Sequence, residues 1–185
     1  MFRKALVPLV VLVAAIALIA QAHQDQQTKK PLSPRGQASF SFQDGKKIVV
    51  DYGRPSMRGR KIMGQLVPYN QVWRTGANEA TTFTTDVPLV IGGKQIPAGK
   101  YAIFTIPGEN EWTVIFNKQT GQWGTKYDQA QDLARITVTP TKLQQPVEQF
   151  TISFDQRGPN AGVMKLEWEN TSVSVDFTQS NTAQS

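Results

Sequence analysis

The residue types best suited to chemistry lie in residues 51–80, which combine arginines, a tryptophan and polar groups of both kinds. An ordered loop rich in guanidinium groups can present planar sets of donors to a carboxylate, phosphate or sulfate. Trp73 adds an aromatic wall, and Asn78 and Glu79 add hydrogen-bonding groups, a mixture that suits a small acid or a glycan. The candidate ligand-binding residues are Arg54, Arg58, Arg60, Trp73, Arg74, Asn78 and Glu79.

The Arg-rich loop, residues 54–74, has the composition of a long structured loop rather than a strand. Residues 51–80 hold glycines at positions 53, 59, 64 and 76 and prolines at 55 and 68. Long loops in compact domains are usually functional or disordered, and Ile62, Met63 and Val67 are apolar enough to pin this one to the body. From Lys46 to Arg74 there are seven basic residues and one acidic residue. We therefore expect a local positive patch that can hold an anion.

Three interpretations of this segment remain open. The first is a non-catalytic binding or interaction module for a small anionic molecule, a glycan or an envelope protein. The second is a hydrolase or isomerase with Glu79 as base and Arg74 or Lys61 stabilising negative charge, which requires an enclosed Glu79. The third is a structural envelope protein in which Arg54, Arg74 and Glu79 form a partly buried ion-pair network. The composition favours the first.

The composition is poor in standard catalytic groups. The chain has 185 residues, no Cys and one His, which excludes disulfides, thiolate metal sites, cysteine nucleophiles and multi-histidine metal sites. A carboxylate pair for glycosidase chemistry is conceivable in Asp51 with Glu79 or in Glu109 with Glu111. His23 can chelate copper as the first mature residue, but a second imidazole is lacking. We predict no metal site and no cofactor.

The dominant period of the sequence is two, which is typical of half-buried strands. Met164, Leu166 and Trp168 alternate with charged residues, and residues 173, 175 and 177 repeat the scheme. Two-residue hairpin patterns, Asp44-Gly45 and Gly92-Gly93, separate some of the predicted strands. Only residues 127–134 could form a short helix. The sequence predicts an all-β, antiparallel β-sandwich or jelly roll of roughly eight to ten strands with at most one short helix.

The indoles outside the Arg-rich loop fall into two groups. Trp112 and Trp168 stand at strand-alternating positions, so we predict that both lie in the core. Trp123 lies among Gly and Gln residues and either lines a pocket or packs on the surface.

The N-terminus has the pattern of a signal peptide. Arg3 and Lys4 precede an apolar run over residues 5–20, and Ala20 and Ala22 flank Gln21 in an A-x-A pattern. We predict cleavage after Ala22 and a periplasmic or secreted protein, with an uncleaved anchor as the alternative. Nucleic acid is then not expected as a partner, nor is a membrane beyond the signal peptide. The predicted segments are a signal peptide (1–22), a disordered leader (23–36), one domain (37–178) and a flexible tail (179–185).

Four stretches together resemble a known family. They are GRPSMRGRKIMG (53–64), VWRTGANEATTFT (72–84), PAGKYAIFTIPGENEWTVIFNK (97–118) and LEWENTSV (166–173). They are similar to the bacterial domain of unknown function 2911 family, and the similarity covers about residues 34–177. The resemblance implies an exported bacterial protein with this domain as its main part. It implies no activity, and no catalytic residue can be carried over.

Overall fold

The computed structural model describes residues 32–180, which form ten strands and one short 3-10 helix, Gln129–Gln131. The strands are β1 (Arg35–Ser41), β2 (Lys47–Gly53), β3 (Thr81–Thr85), β4 (Leu89–Ile91), β5 (Lys94–Ile96), β6 (Gly99–Ile106), β7 (Trp112–Asn117), β8 (Asp132–Val138), β9 (Thr141–Gly158) and β10 (Ala161–Gln179).

The strands form two antiparallel sheets. One has six strands in the order β1-β2-β3-β6-β7-β8, and the other has four in the order β5-β4-β10-β9. The predicted hairpins are confirmed: Gly45 closes the β1–β2 turn with φ 81°, and Gly92 and Gly93 close the β4–β5 turn with φ 53° and 74°. Positive φ carries little steric penalty for glycine, which explains these residues at the turns. The predicted all-β sandwich is confirmed.

The main core lies between the sheets and follows the alternation in the sequence. In β10, Val173, Val175 and Phe177 are buried while Ser174 and Asp176 are exposed. Trp112 and Trp168 are each 2% exposed, which confirms their predicted place in the core. The alternation works because successive side chains of a strand point to opposite faces of the sheet.

A smaller apolar cluster contains Ala80, Ala102, Phe104 and Ile115, with Ile106 and Tyr127 packed against it. Ala102, Phe104 and Ile106 alternate along β6 with Ile103, which belongs to the main core. This strand is therefore buried on both faces, which explains its nearly continuous apolar run.

Two sequence predictions need correction. Residues 127–134 do not form one helix, because β8 begins at Asp132 and pairs with β7. The folded part begins before residue 37, since Arg35 and Gly36 already pair with Gly53 and Tyr52. The predicted signal peptide, most of the leader and residues 181–185 of the tail lie outside the described residues. Within residues 32–180, no helix is long and apolar enough to cross a membrane.

Candidate functional site

The loop between β2 and β3, residues 54–80, is tied to both sheets by its backbone. Near its start, the Phe150 N–H donates to the Pro55 carbonyl at 2.9 Å, and the Met57 N–H donates to Glu148 at 2.8 Å. Near its end, Trp73 and Thr105 exchange two backbone bonds of 2.7 and 2.9 Å. The pairing of β3 with β6 ends at Thr81, which lies opposite Ile103. Trp73 then pairs with β6 two residues further on, at Thr105. The loop is a fixed part of the sandwich.

The segment TGANEA, residues 75–80, crosses the end of β2 at very short range. A Cβ on Gly53 would collide with the Ala77 carbonyl oxygen, and a Cβ on Gly76 would lie 2.9 Å from the Gly53 carbonyl oxygen. The buried Thr81 hydroxyl donates to the Thr75 carbonyl at 2.7 Å. Glycines stand here because only they allow the two backbones to approach so closely. The segment 75–80 therefore has a packing role.

Of the first three arginines of the candidate set, Arg54 and Arg58 contact β9 and Arg60 bonds within its own loop. Arg54 donates from Nε to the Phe150 carbonyl at 3.3 Å and from its terminal nitrogen to Thr151 Oγ1 at 2.9 Å. Arg60 donates to the carbonyl oxygens of Met57 and Ser56 at 2.9 and 2.7 Å. The Arg58 backbone N–H donates to a Glu148 carboxylate oxygen at 2.9 Å. Arg54 and Arg60 thus use several of their donors within the protein.

Trp73 does not form the wall of an open cleft. Its ring lies 5.1 Å from that of Phe150 and 5.9 Å from that of Trp168, with 19° between the two indole planes. It also meets Trp112 edge-on at 6.4 Å. Aromatic pairs at these distances add stability beyond the area they bury. The structure therefore places Trp73 in an aromatic cluster between the sheets.

The last three candidates, Arg74, Asn78 and Glu79, lie by the segment around Gly124. The Asn78 carbonyl accepts from the Gly124 N–H at 2.9 Å, and the Arg74 side chain lies across Gly124. The Glu79 side chain is 57% exposed and pairs with Arg35 at 3.5 Å. Among residues 32–180, the ion-pair network of Arg54, Arg74 and Glu79, one of the three interpretations of the sequence, does not form. An exposed Glu79 also fails the requirement for a general base in an enclosed site.

A concave site lies at one end of the sandwich and has a volume of about 480 Å³. We call it the Tyr69 cavity. Loop 54–80 contributes three of its lining residues, and the remainder come from the β6–β7 turn, from β7, from the β8–β9 link, from the start of β9 and from β10. It is lined by Lys61, Met63, Tyr69, Gly108, Glu109, Trp112, Pro140, Thr141, Lys142, Glu169, Asn170 and Thr171. Its volume is in the range of small-molecule sites, about 300–1,000 Å³.

A break in the β9–β10 pairing shapes this cavity. Glu169 pairs with Val147 and Thr171 pairs with Lys142, so four residues of β9 stand opposite one residue of β10. Such bulges bend a strand and redirect side chains. The irregularity brings Lys142 and Asn170 to the cavity.

Glu169 holds the loop side of the cavity in place. Its two carboxylate oxygens accept from the backbone N–H groups of Ile62 and Met63, each at 3.1 Å. Its backbone has φ 53°, an uncommon conformation for a residue with a side chain. Strained residues persist where the surroundings hold them, and they cluster at functional sites. Glu169 therefore positions the segment that carries Lys61 and Met63.

The remaining charges of the cavity are free to meet a ligand. Within residues 32–180, the Lys61 and Lys142 ammonium groups form no ion pair, and Glu109 forms none either. Tyr69 has a raised pKa, first because of burial and then because of the nearby Glu109 and Glu169 carboxylates. Its hydroxyl is therefore a neutral donor at physiological pH. In the same part of the chain, no group of three His, Asp or Glu residues could hold a metal ion.

The structure thus defines a two-sheet, all-β protein with a polar cavity at one end of the sandwich. Residues 33–177 match the model of DUF2911, described as a protein of unknown function, and the chain belongs to this family. No curated protein and no solved structure shows significant similarity to the chain.

Most residues of the Tyr69 cavity were not predicted as site residues, although one pattern in the sequence indicates where the cavity forms. From Met164 to Trp168 the apolar residues of β10 occupy even positions, and from Val173 to Phe177 they occupy odd positions. Because side chains alternate strictly along a strand, this change of parity requires an irregularity between the two positions. Glu169 and Asn170 lie within it.

Proposed function

We propose that this protein is a non-catalytic binding module that holds a small polar molecule with an anionic group in the Tyr69 cavity. The observation that carries the proposal is the pair of ammonium groups, Lys61 and Lys142, which line a cavity of about 480 Å³ without an ion-pair partner among residues 32–180. The cavity also holds two carboxylates, but that of Glu169 accepts from the backbone N–H groups of Ile62 and Met63. The two free ammonium groups therefore outnumber the one free carboxylate, Glu109, and favour a carboxylate or phosphate ligand by charge complementarity.

Loop 54–80 contributes to the proposed site, but the residues that it contributes are not the predicted ones. Lys61, Met63 and Tyr69 of the loop line the cavity, whereas Arg54 and Arg60 bond to the protein. Tyr69 supplies a hydroxyl and Trp112 an apolar surface. An aromatic surface beside a few polar groups is typical of sites for small molecules.

The experiment is a titration of the protein with glucuronate, succinate and inorganic phosphate, followed by tryptophan fluorescence, because Trp112 lines the cavity. We expect saturable binding of at least one anion and none of glucose. The variant Lys61→Ala/Lys142→Ala should lose binding, whereas Lys94→Ala, a charge change on the exposed start of β5, should not. Equal binding by all three proteins, or no binding of any anion, would refute the proposal.

We also propose that the protein is exported. The support is the sequence pattern of residues 1–22, with a basic start, an apolar run and an A-x-A sequence. The anion or glycan would then be met in the periplasm or outside the cell.

A further inference from the structure

A second concave site adjoins the Tyr69 cavity and has a volume of about 440 Å³. We call it the Glu111 cavity, after a residue that lines this site and not the other. Tyr69, Gly108 and Glu109 line both cavities, so the two lie next to each other. A ligand that fills the Tyr69 cavity can therefore extend into its neighbour.

The turn between β6 and β7 carries the acidic residues of both cavities, and it is fixed by the fold. The Asn70 N–H donates to the Pro107 carbonyl at 2.7 Å, which bonds this turn to the residue beside Tyr69. A Cβ on Gly108 would collide with the Glu111 carbonyl oxygen, so only glycine allows the turn to close this tightly. The backbone of Glu109 and Glu111 is thus held at the two cavities.

The charges of the two cavities are separated by sign. Lys61 and Lys142 line only the Tyr69 cavity, Glu111 lines only the Glu111 cavity, and Glu109 lines both. Within residues 32–180, none of these four side chains forms an ion pair. After burial, the Glu109 carboxylate is the next cause that raises the pKa of Tyr69, so it lies close to the phenol. A ligand along both cavities therefore meets cations at one end and carboxylates at the other.

We propose that the ligand of the Tyr69 cavity is a zwitterion, an amino acid or a short peptide, whose ammonium group lies at Glu109 and Glu111. This inference rests on the proposed function, because the carboxylate of the zwitterion is the anion already assigned to Lys61 and Lys142. An ammonium group has three donors, and carboxylates and a hydroxyl oxygen such as that of Tyr69 are its natural acceptors. A zwitterion also accounts for Glu109, a free carboxylate in a cavity that otherwise favours an anion.

The test is isothermal titration calorimetry with two matched pairs, alanine with propanoate and trialanine with propanoyl-dialanine. The members of each pair differ only in the ammonium group. We expect the zwitterion of at least one pair to bind about fivefold more tightly than its partner, a modest factor because both glutamates are exposed. High salt should reduce this factor, since exposed charges are screened. The pair with the larger factor shows whether the ligand is a free amino acid or a peptide.

Two variants locate the effect. Glu109→Gln/Glu111→Gln should bind the two members of a pair about equally, because the partners of the ammonium group are gone. Asp176→Asn is the matched control, since Asp176 is an exposed carboxylate of β10 that lines neither cavity. It should keep the preference for the zwitterion.

Equal binding of both members of each pair by the wild type would overturn the inference, and so would an unchanged preference in Glu109→Gln/Glu111→Gln. Binding of glucuronate, succinate or phosphate without binding of either zwitterion would also overturn it, but would leave the proposed function intact. If no anion and no zwitterion binds, the proposed function and the inference fail together.

Discussion

Trp73 stacks on Trp168 with ring centroids 5.9 Å apart and 19° between the ring planes. One ring comes from loop 54–80 and the other from β10, so the stack joins the loop to the four-stranded sheet. The tryptophan that looked like part of a ligand site is thus an element of packing.

Trp73→Ala should destabilise the protein by about 3 kcal/mol, since it removes a large aromatic side chain from a cluster of three other rings. Urea denaturation followed by circular dichroism measures this loss. Trp123→Ala is the control, because Trp123 is 48% exposed and should cost less than about 1 kcal/mol. Similar losses for both variants would contradict the packing role.

Glu169→Gln should loosen the loop side of the Tyr69 cavity. Only one of the two acceptor oxygens survives, so the N–H of Ile62 or of Met63 loses a charge-assisted bond, at a cost of about 2 kcal/mol. Hydrogen exchange at these two amides should become faster. Glu111→Gln, at an exposed turn position, should leave their exchange unchanged. Unaltered protection in Glu169→Gln would show that the carboxylate does not hold the loop.

Arg54→Ala should cost about 1–3 kcal/mol of stability, because Arg54 bonds to Phe150 and Thr151 of β9 from a partly buried position. Anion binding in the Tyr69 cavity should not change, since Arg54 does not line it. Thermal unfolding and the fluorescence titration measure the two effects. If Arg54→Ala lost anion binding but kept its stability, Arg54 would have to be a ligand-binding residue.

Stability should fall in alkaline solution, partly through Tyr69. Burial, and then the Glu109 and Glu169 carboxylates, raise the pKa of Tyr69 above its usual value of 10.0. The folded form therefore stays neutral where the unfolded chain already ionises. The resulting stabilisation is complete below the unfolded pKa and is lost as the pH rises through the folded pKa.

Urea denaturation between neutral pH and about pH 11 tests this prediction, since it spans the usual tyrosine pKa. Tyr69→Phe should show a smaller alkaline decline than the wild type. Part of the decline should persist, because burial also raises the pKa of Tyr101 and, together with the hydrogen bond from its hydroxyl to Asp132, that of Tyr127. Identical declines in wild type and Tyr69→Phe would contradict the assignment.

Export predicts a definite mature N-terminus. Expressed with its native start, the protein should be recovered outside the cytoplasm and should begin at His23 when its N-terminus is sequenced. An N-terminus at Met1 in a membrane fraction would instead indicate an uncleaved anchor.

The sequence by itself determined the sandwich, the hairpins at Gly45 and Gly92, and the core positions of Trp112 and Trp168. These features depend on the two-residue period and on turn chemistry, which are local properties. The tertiary structure decided the rest. Residues 132–134 became strand because β7 offered backbone partners that a short helix could not match.

Contacts with distant strands also explain why the candidate site differs from the predicted one. Trp73 is held against the core, partly buried, by pairing with Thr105, 32 positions along the chain, and Arg54 bonds to Phe150, 96 positions away. No local pattern records which distant strand a loop residue meets. The Tyr69 cavity likewise arises where Lys61, Lys142 and Glu169 are brought together from three separate parts of the chain. Residue types therefore predicted which groups could bind a ligand, and long-range strand register decided which of them face a cavity.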